Sequence, residues 1–205
     1  MLPHQLLLTT DVSDLLPAGW QESIAALART SGRQIRREQA DRYSLEDGGL
    51  KYVVVDGPTI AEKLPWLVEF FRHPKLTMLA NKVAGEPVVP GSDLLTCLNI
   101  NLLDGRGEKY EKHYDPQPFT MVVFVNTLLP GDGGELELWT RDGQGHEVLV
   151  RPVAGHAIVF DGSKTPHRVR PLIADVPRLT IVMEFWREGA GLDPARAENT
   201  KYLYE

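Results

Sequence analysis

Tyr110-Glu111-Lys112-His113-Tyr114-Asp115-Pro116 is the stretch around which the rest of the chain is organised. His113 and Asp115 are separated by one residue, so on a β-strand both side chains leave the same face. Their ligand atoms can then converge on one point close to the backbone. Such a pair alone also serves as an ordinary surface or hydrogen-bonded feature. Two later residues change its meaning. His167 stands in Thr165-Pro166-His167-Arg168-Val169, and Arg178 follows it by eleven residues in Pro177-Arg178-Leu179-Thr180. Two imidazoles and one carboxylate on one side of a metal leave three coordination positions open, the donor set that suits non-haem Fe(II). An arginine on the next strand is what a carboxylate-bearing cosubstrate of such a centre requires.

Outward from that stretch, everything after Pro90 reads as short strands: Leu94–Leu103, Phe119–Thr127, Gly134–Thr140, Glu147–Val153, His156–Phe160, His167–Val169 and Arg178–Trp186. They are rich in β-branched and aromatic residues and are separated by Gly, Pro and Asp. The His113–Asp115 pair falls where a strand ends and a Pro-rich loop begins. His167 opens a strand after the loop Asp161-Gly162-Ser163-Lys164-Thr165-Pro166, of the kind that lines a barrel mouth. With Arg178 pointing inward, Thr180, Val182, Glu184 and Trp186 share its face.

The N-terminal part is different. Trp20, Ile24, Ala25 and Leu27 recur at helix spacing between Pro17 and Ala28, and Arg29 to Ser44 reads as a continued helix or a loop. Gly48-Gly49 breaks the chain, and Lys51–Asp56 is a strand closed by Gly57-Pro58. Thr59–Val83 is the strongest helical segment, with Ile60, Leu64, Leu67, Val68 and Phe71 on one face and Pro65 and Pro74 dividing it. These helices read as packing elements. The pattern predicts an α+β, mainly β fold, a sandwich or barrel buttressed by N-terminal helices. It forms a single domain, with residues 1–90 as helical support, 91–188 as the β core and 189–205 as a surface extension. Tyr202 and Tyr204 tuck that extension down or join a dimer contact, so a monomer or a homodimer is expected.

Composition bounds the partners. The chain has 205 residues, 42% of them hydrophobic and 24% charged, ordinary for a soluble globular protein. Its formal net charge of -6 argues against nucleic-acid binding, and Arg33, Arg36 and Arg37 form the only dense basic cluster. Cys97 is the single cysteine, which fits a reducing cytoplasm. The first residues lack a basic region and long apolar run, and no stretch is long enough to span a membrane.

The run from Leu95 to Trp186 resembles the double-stranded β-helix (jelly-roll or cupin-like) core of the 2-oxoglutarate/Fe(II)-dependent dioxygenases, particularly the prolyl-hydroxylase-like branch. The matching pieces are His113-Tyr114-Asp115, Gly133-Gly134-Glu135-Leu136, Pro152-Val153-Ala154-Gly155, Val159-Phe160-Asp161, His167-Arg168-Val169-Arg170-Pro171 and Pro177-Arg178-Leu179-Thr180. The resemblance implies that His113, Asp115 and His167 hold Fe(II). It further implies that 2-oxoglutarate chelates two open positions and O2 takes the last. Arg178 would bind the distal carboxylate of 2-oxoglutarate, with Thr180 adding a hydroxyl. Tyr110 and Asn101 would line the same pocket, Asn99 beside them. By this likeness the reaction hydroxylates a C–H bond and releases succinate and CO2. Asp115 favours hydroxylation over halogenation, because related halogenases lack this carboxylate. Phe124 departs from the pattern, standing where some prolyl hydroxylases have a tyrosine hydroxyl.

A small amino-acid-like substrate is the expectation, with a peptidyl residue as the alternative. The rival from another class is a non-catalytic cupin-like module that uses the pocket for a ligand. Zinc accepts the same three ligands but leaves Arg178 unexplained. Ser163 lacks a G-x-S-x-G context, and Cys97 lies in an apolar run, so nucleophilic catalysis fits poorly. His156 reads as packed or surface-facing, and His4, His73 and His146 sit near helix ends or turns without a carboxylate partner.

Overall fold

The computed structural model describes residues 7–37, 43–46, 50–139 and 147–190. Twelve strands run through them: β1 (Leu7–Asp11), β2 (Arg33–Arg37), β3 (Leu50–Asp56), β4 (Val88–Pro90), β5 (Leu98–Leu103), β6 (Tyr110–His113), β7 (Phe119–Phe124), β8 (Leu136–Trp139), β9 (Glu147–Val150), β10 (His156–Phe160), β11 (His167–Val169) and β12 (Arg178–Arg187). Five α-helices accompany them: α1 (Trp20–Ser31), α2 (Gly57–Lys63), α3 (Pro65–Phe71), α4 (Pro74–Ala84) and the single turn α5 (Leu94–Cys97).

The strands make two antiparallel sheets. The larger has the order β1-β10-β7-β12-β5-β3-β2, with β4 beside the end of β12; the smaller has the order β6-β11-β8-β9. Side-chain alternation divides the core into two. On the helix side, Leu179, Ile181, Met183 and Phe185 of β12 join Ile100 of β5 and Val123 of β7 against Leu67, Phe71 and Leu76. Phe71 and Phe185 meet edge to face with centroids 5.6 Å apart, so α3 is fixed to β12. Truncating Phe185 to Ala would cost about 3–5 kcal/mol. On the inner side, Leu103, Val122, Phe124, Ile158 and Phe160 of the large sheet pack against Leu136, Leu138 and Val169 of the small one. The strand pattern predicts a sandwich or barrel and the resemblance a double-stranded β-helix, and these two facing sheets agree with both, with the site between them.

Local chemistry explains most boundaries. Pro65 and Pro74 each start a helix, where the missing N–H costs nothing, so the long segment after Thr59 is three helices. Asp56 caps the first of them by accepting from the Thr59 amide at 2.8 Å.

Four sequence expectations need correction. Arg33–Arg37 is neither helix nor loop; it pairs with β3 along its length as a charged edge strand, and only Ile35 supplies apolar patterning. Leu94–Cys97 is helical because Asp93 accepts from the Leu95 amide and caps it, so the strand starts at Leu98. β1 and β4 were not apparent in the sequence, so the first 90 residues supply strands as well as helices. Trp186 leaves the inner row and packs with the helix-side core. Tyr202, Tyr204, Gly48-Gly49, His4 and His146 lie outside the described residues. Among the described residues no helix is long and apolar enough to cross a membrane.

Candidate metal centre

The two histidines are brought together by sheet register. His113 ends β6 and His167 opens β11, and the two are direct antiparallel partners. Partners of that kind hold their Cβ atoms ~4.5–5.5 Å apart on one face. Their rings accordingly lie with centroids 4.3 Å apart.

Each ring is oriented by a carbonyl two residues before it in the chain. His113 Nδ1 lies 2.7 Å from the Glu111 carbonyl oxygen, and His167 Nδ1 lies 2.9 Å from that of Thr165. A carbonyl only accepts, so in each neutral ring Nδ1 carries the hydrogen and Nε2 keeps its lone pair. Both Nε2 atoms therefore present as ligands.

Asp115 completes the set from beyond the end of β6. The strand stops at His113, so the convergence owes more to the following turn than to strand alternation. The Asp115 amide donates to the Gly162 carbonyl at 3.0 Å, which ties the turn to the loop before β11. Its Oδ1 lies 3.6 Å from His113 Nε2 and 3.5 Å from His167 Nε2. One ion ~2.1 Å from each ligand bridges pairs up to ~4.2 Å apart, so both distances fit a shared metal. One ligand atom from each of the three residues falls within 4.8 Å of the others. Two neutral nitrogens and one anionic oxygen, converging with nothing basic between them, fit a divalent cation.

Burial opposes the Asp115 charge, but His167 and His113 more than offset it and hold the carboxyl far below the usual carboxylate range. Burial also works against a charged His113, yet Asp115 outweighs it and pushes that imidazole upward.

Arg178 is the first residue of β12 and only 3% exposed. Its Nε donates to the Gly134 carbonyl at 2.8 Å. Gly134 has φ +72°, and a Cβ there would lie 3.2 Å from Arg178 Cδ, so glycine lets the carbonyl approach. The guanidinium carbon sits 5.6 Å from the Phe124 ring, an aromatic face where the resemblance leads one to look for a hydroxyl. Burial pushes the Arg178 pKa down to about 10, with Tyr110 acting in the opposite direction. No carboxylate among the described residues pairs with it.

The other expected pocket residues lie on the walls around these groups. Tyr110 packs at a tilt on Tyr52 with centroids 4.7 Å apart, lies 6.1 Å from the His113 ring, and is near enough to Arg178 to act on its charge. Thr180 is buried opposite Asn101 and Phe124, and its hydroxyl makes only a long 3.5 Å contact with the Asn101 carbonyl. The side-chain oxygens of Asn99 and Asn101 are buried without a protein partner. Glu184 is buried on the same face of β12, opposite Thr120.

Elsewhere, His156 pairs in register with Asp11, His73 caps α4 and Cys97 is buried. Two residues that touch the site escaped the sequence reading. Thr120 shares a face of β7 with Phe124, which alternation alone could have flagged. Gly162 touches Asp115 only because the loop before β11 folds back, and no local signal reveals that.

Residues 97–186 match the family model of the 2OG-Fe(II) oxygenase superfamily. Solved structures share the fold. A prolyl-4-hydroxylase from Pseudomonas putida is 21% identical with a TM-score of 0.59, over 88% of this chain and 92% of its own. The epimerase SnoN, in complex with Fe3+, alpha ketoglutarate and nogalamycin RO, is 17% identical with a TM-score of 0.64, over 93% of this chain and 89% of its own. A prolyl hydroxylase from Trichoplax adhaerens, in complex with a hypoxia inducible factor peptide fragment, is 14% identical with a TM-score of 0.63, over 98% and 87%. Comparison with curated protein sequences returned no match. The span that matches the 2OG-Fe(II) oxygenase superfamily model, residues 97–186, contains the His113–Asp115–His167 cluster and Arg178.

Proposed function

We propose that this chain is an Fe(II)- and 2-oxoglutarate-dependent dioxygenase that hydroxylates an unactivated C–H bond of a small, amino-acid-like molecule. The observation that carries the reading is Arg178. A guanidinium buried to this extent without an acidic partner is costly, and a site that keeps one is built for an anion that arrives from outside. The distal carboxylate of 2-oxoglutarate answers that need with a charge-assisted, planar pair.

Bound to His113, Asp115 and His167, the iron supplies the oxidising chemistry that uses O2 and 2-oxoglutarate, leaving succinate, CO2 and a hydroxylated product. The protein's own part is placement. His113 and His167 offer Nε2 because backbone carbonyls hold the opposite nitrogens. Arg178 anchors the cosubstrate's far end, with the Thr180 hydroxyl beside it, and Tyr110 and Asn101 border its path toward the triad. Asp115 would supply the carboxylate ligand that related halogenases lack, which favours hydroxylation.

Asn99, Asn101 and Glu184 make the inner wall polar, which suits a small molecule carrying amino or amide groups. The net charge of -6 and the single cysteine suit a small substrate met in the cytoplasm. The fold also serves a SnoN epimerase and prolyl hydroxylases, so product type depends on where the substrate's hydrogens sit.

The test is anaerobic addition of Fe(II) and 2-oxoglutarate, followed by a screen of free amino acids for stimulated succinate release. A weak visible charge-transfer band and one or more stimulating amino acids are expected. No band together with no succinate would overturn the reading in favour of a ligand-binding module.

A further inference from the structure

Asp115 has two carboxylate oxygens, and its surroundings treat them differently. Oδ1 faces Nε2 of both histidines, at 3.6 and 3.5 Å. Oδ2 is turned away and accepts the Thr120 hydroxyl at 2.5 Å, the length of a charge-assisted O–H···O bond. Thr120 is 2% exposed on β7, and its hydroxyl is also 3.1 Å from Oε2 of Glu184 on β12. A hydroxyl carries one hydrogen, and the shorter contact, to Asp115, takes it, with Glu184 Oε2 standing beside as a competing acceptor.

Gly162 closes the arrangement from the opposite side. A Cβ at this position would lie 2.4 Å from Asp115 Oδ2 and 2.5 Å from Thr120 Oγ1. Any side chain would therefore push apart the two atoms that bond. The same glycine fixes the Asp115 backbone by accepting its amide hydrogen at 3.0 Å.

We propose that Thr120, with the space left by Gly162, is a positioning residue that withholds Oδ2 and makes Asp115 a one-oxygen metal ligand. The inference rests on the metal reading above. Carboxylates bind metals through one oxygen or both. Through one, the triad takes three of six positions; through both, it takes four, and one place for cosubstrate or O2 is lost. The threonine hydroxyl occupies the lone pair that the second mode needs. This function is separable from holding the fold together, because a serine keeps the hydroxyl and a valine keeps the shape.

The experiment uses Co(II) alone as the probe, titrated into the metal-stripped 205-residue chain by calorimetry, with the visible d–d spectrum recorded for each variant. T120V and G162A should bind Co(II) roughly 10–100-fold more weakly, with a changed spectrum, whereas T120S stays within about threefold of wild type with an unchanged one. Circular dichroism melts establish that each variant is folded. Should T120V not fold, T120A takes its place with the same criteria. A folded T120V or T120A with wild-type affinity and spectrum would overturn the proposal. Failure of the wild-type protein itself to take up Co(II) would instead overturn the metal reading, so the two failures are distinguishable.

Discussion

Replacing Arg178 by Met removes a buried charge while keeping a flexible chain of similar length. The two consequences should have opposite signs. The depression of the Arg178 pKa from 12.5 to about 10 corresponds to a penalty on the charged form on the order of 3 kcal/mol. Against that stands the lost bond from Nε to the Gly134 carbonyl, worth about 1 kcal/mol net, and some imperfect packing against Phe124. Stability should therefore be unchanged or raised by up to ~2 kcal/mol, a Tm increase of up to roughly 8 °C for a chain of this size. Affinity for 2-oxoglutarate should move the other way. Two charge-assisted hydrogen bonds at ~1.5–3 kcal/mol each give a loss on the order of 10²–10⁴-fold. Thermal unfolding without ligand and calorimetric titration of 2-oxoglutarate into the Fe(II)-loaded protein under anaerobic conditions give the two numbers. A variant that melts well below wild type would show that Arg178 is chiefly a structural residue. One that binds 2-oxoglutarate as tightly as wild type would show that the cosubstrate is anchored elsewhere.

Asp115→Ala or His167→Ala should each abolish metal uptake and succinate release, and retention of full succinate release by either would break the triad assignment. Metal affinity should rise with pH in the region above 6.5. Burial works against the charged His113 imidazole, but Asp115 outweighs it and lifts the pKa above the usual 6.5, so a proton held there must leave for the metal to bind. Calorimetry at pH 6 in buffers of different ionisation heat should find protons released on metal binding, and no release would refute it. On the outer face of the small sheet, Glu137 is buried and ion-paired with Arg168 and Arg170. Burial opposes its charge, but Arg170 and Arg168 more than offset it and hold the carboxyl at about 2. Its contribution is present above the unfolded value of 4.5 and fades as pH falls toward 2, so Glu137→Gln should cost about 1–2 kcal/mol at pH 7 and little at pH 2.5. Urea unfolding at the two pH values measures this, and an equal cost at both would contradict it.

The clustering of His113, Asp115 and His167 was legible in the sequence because few residue types suit a divalent metal, and because β-branched and aromatic runs between Gly, Pro and Asp marked the strands around them. β7, β10 and β12 read as near-continuous β-branched and aromatic runs, since each is covered on both faces. β2 escaped notice because an edge strand of Arg33-Gln34-Ile35-Arg36-Arg37 needs no apolar face, and its partner β3 decides its structure. α5 escaped because one Asp93 cap outweighs the β-propensity of four residues. His113 and Asp115 converge for a different reason than their spacing suggests, through a turn held by Gly162. Thr120 and Gly162 are far from each other in the chain, so their meeting at one carboxylate oxygen belongs to tertiary structure alone.

His113 and His167 face each other across β6 and β11, and the only other pairing between these strands is Val169 with Tyr110, across a register shift. A metal at that place is therefore a rivet through the thinnest seam of the small sheet. Its binding free energy adds to the work of pulling the seam open, by an amount that grows with the logarithm of metal concentration. Amide hydrogens on β6 and β11 should exchange more slowly once the rivet is in, while those on β5 and β12 change little. The same atoms that choose the chemistry would then also decide how long the pocket stays shut.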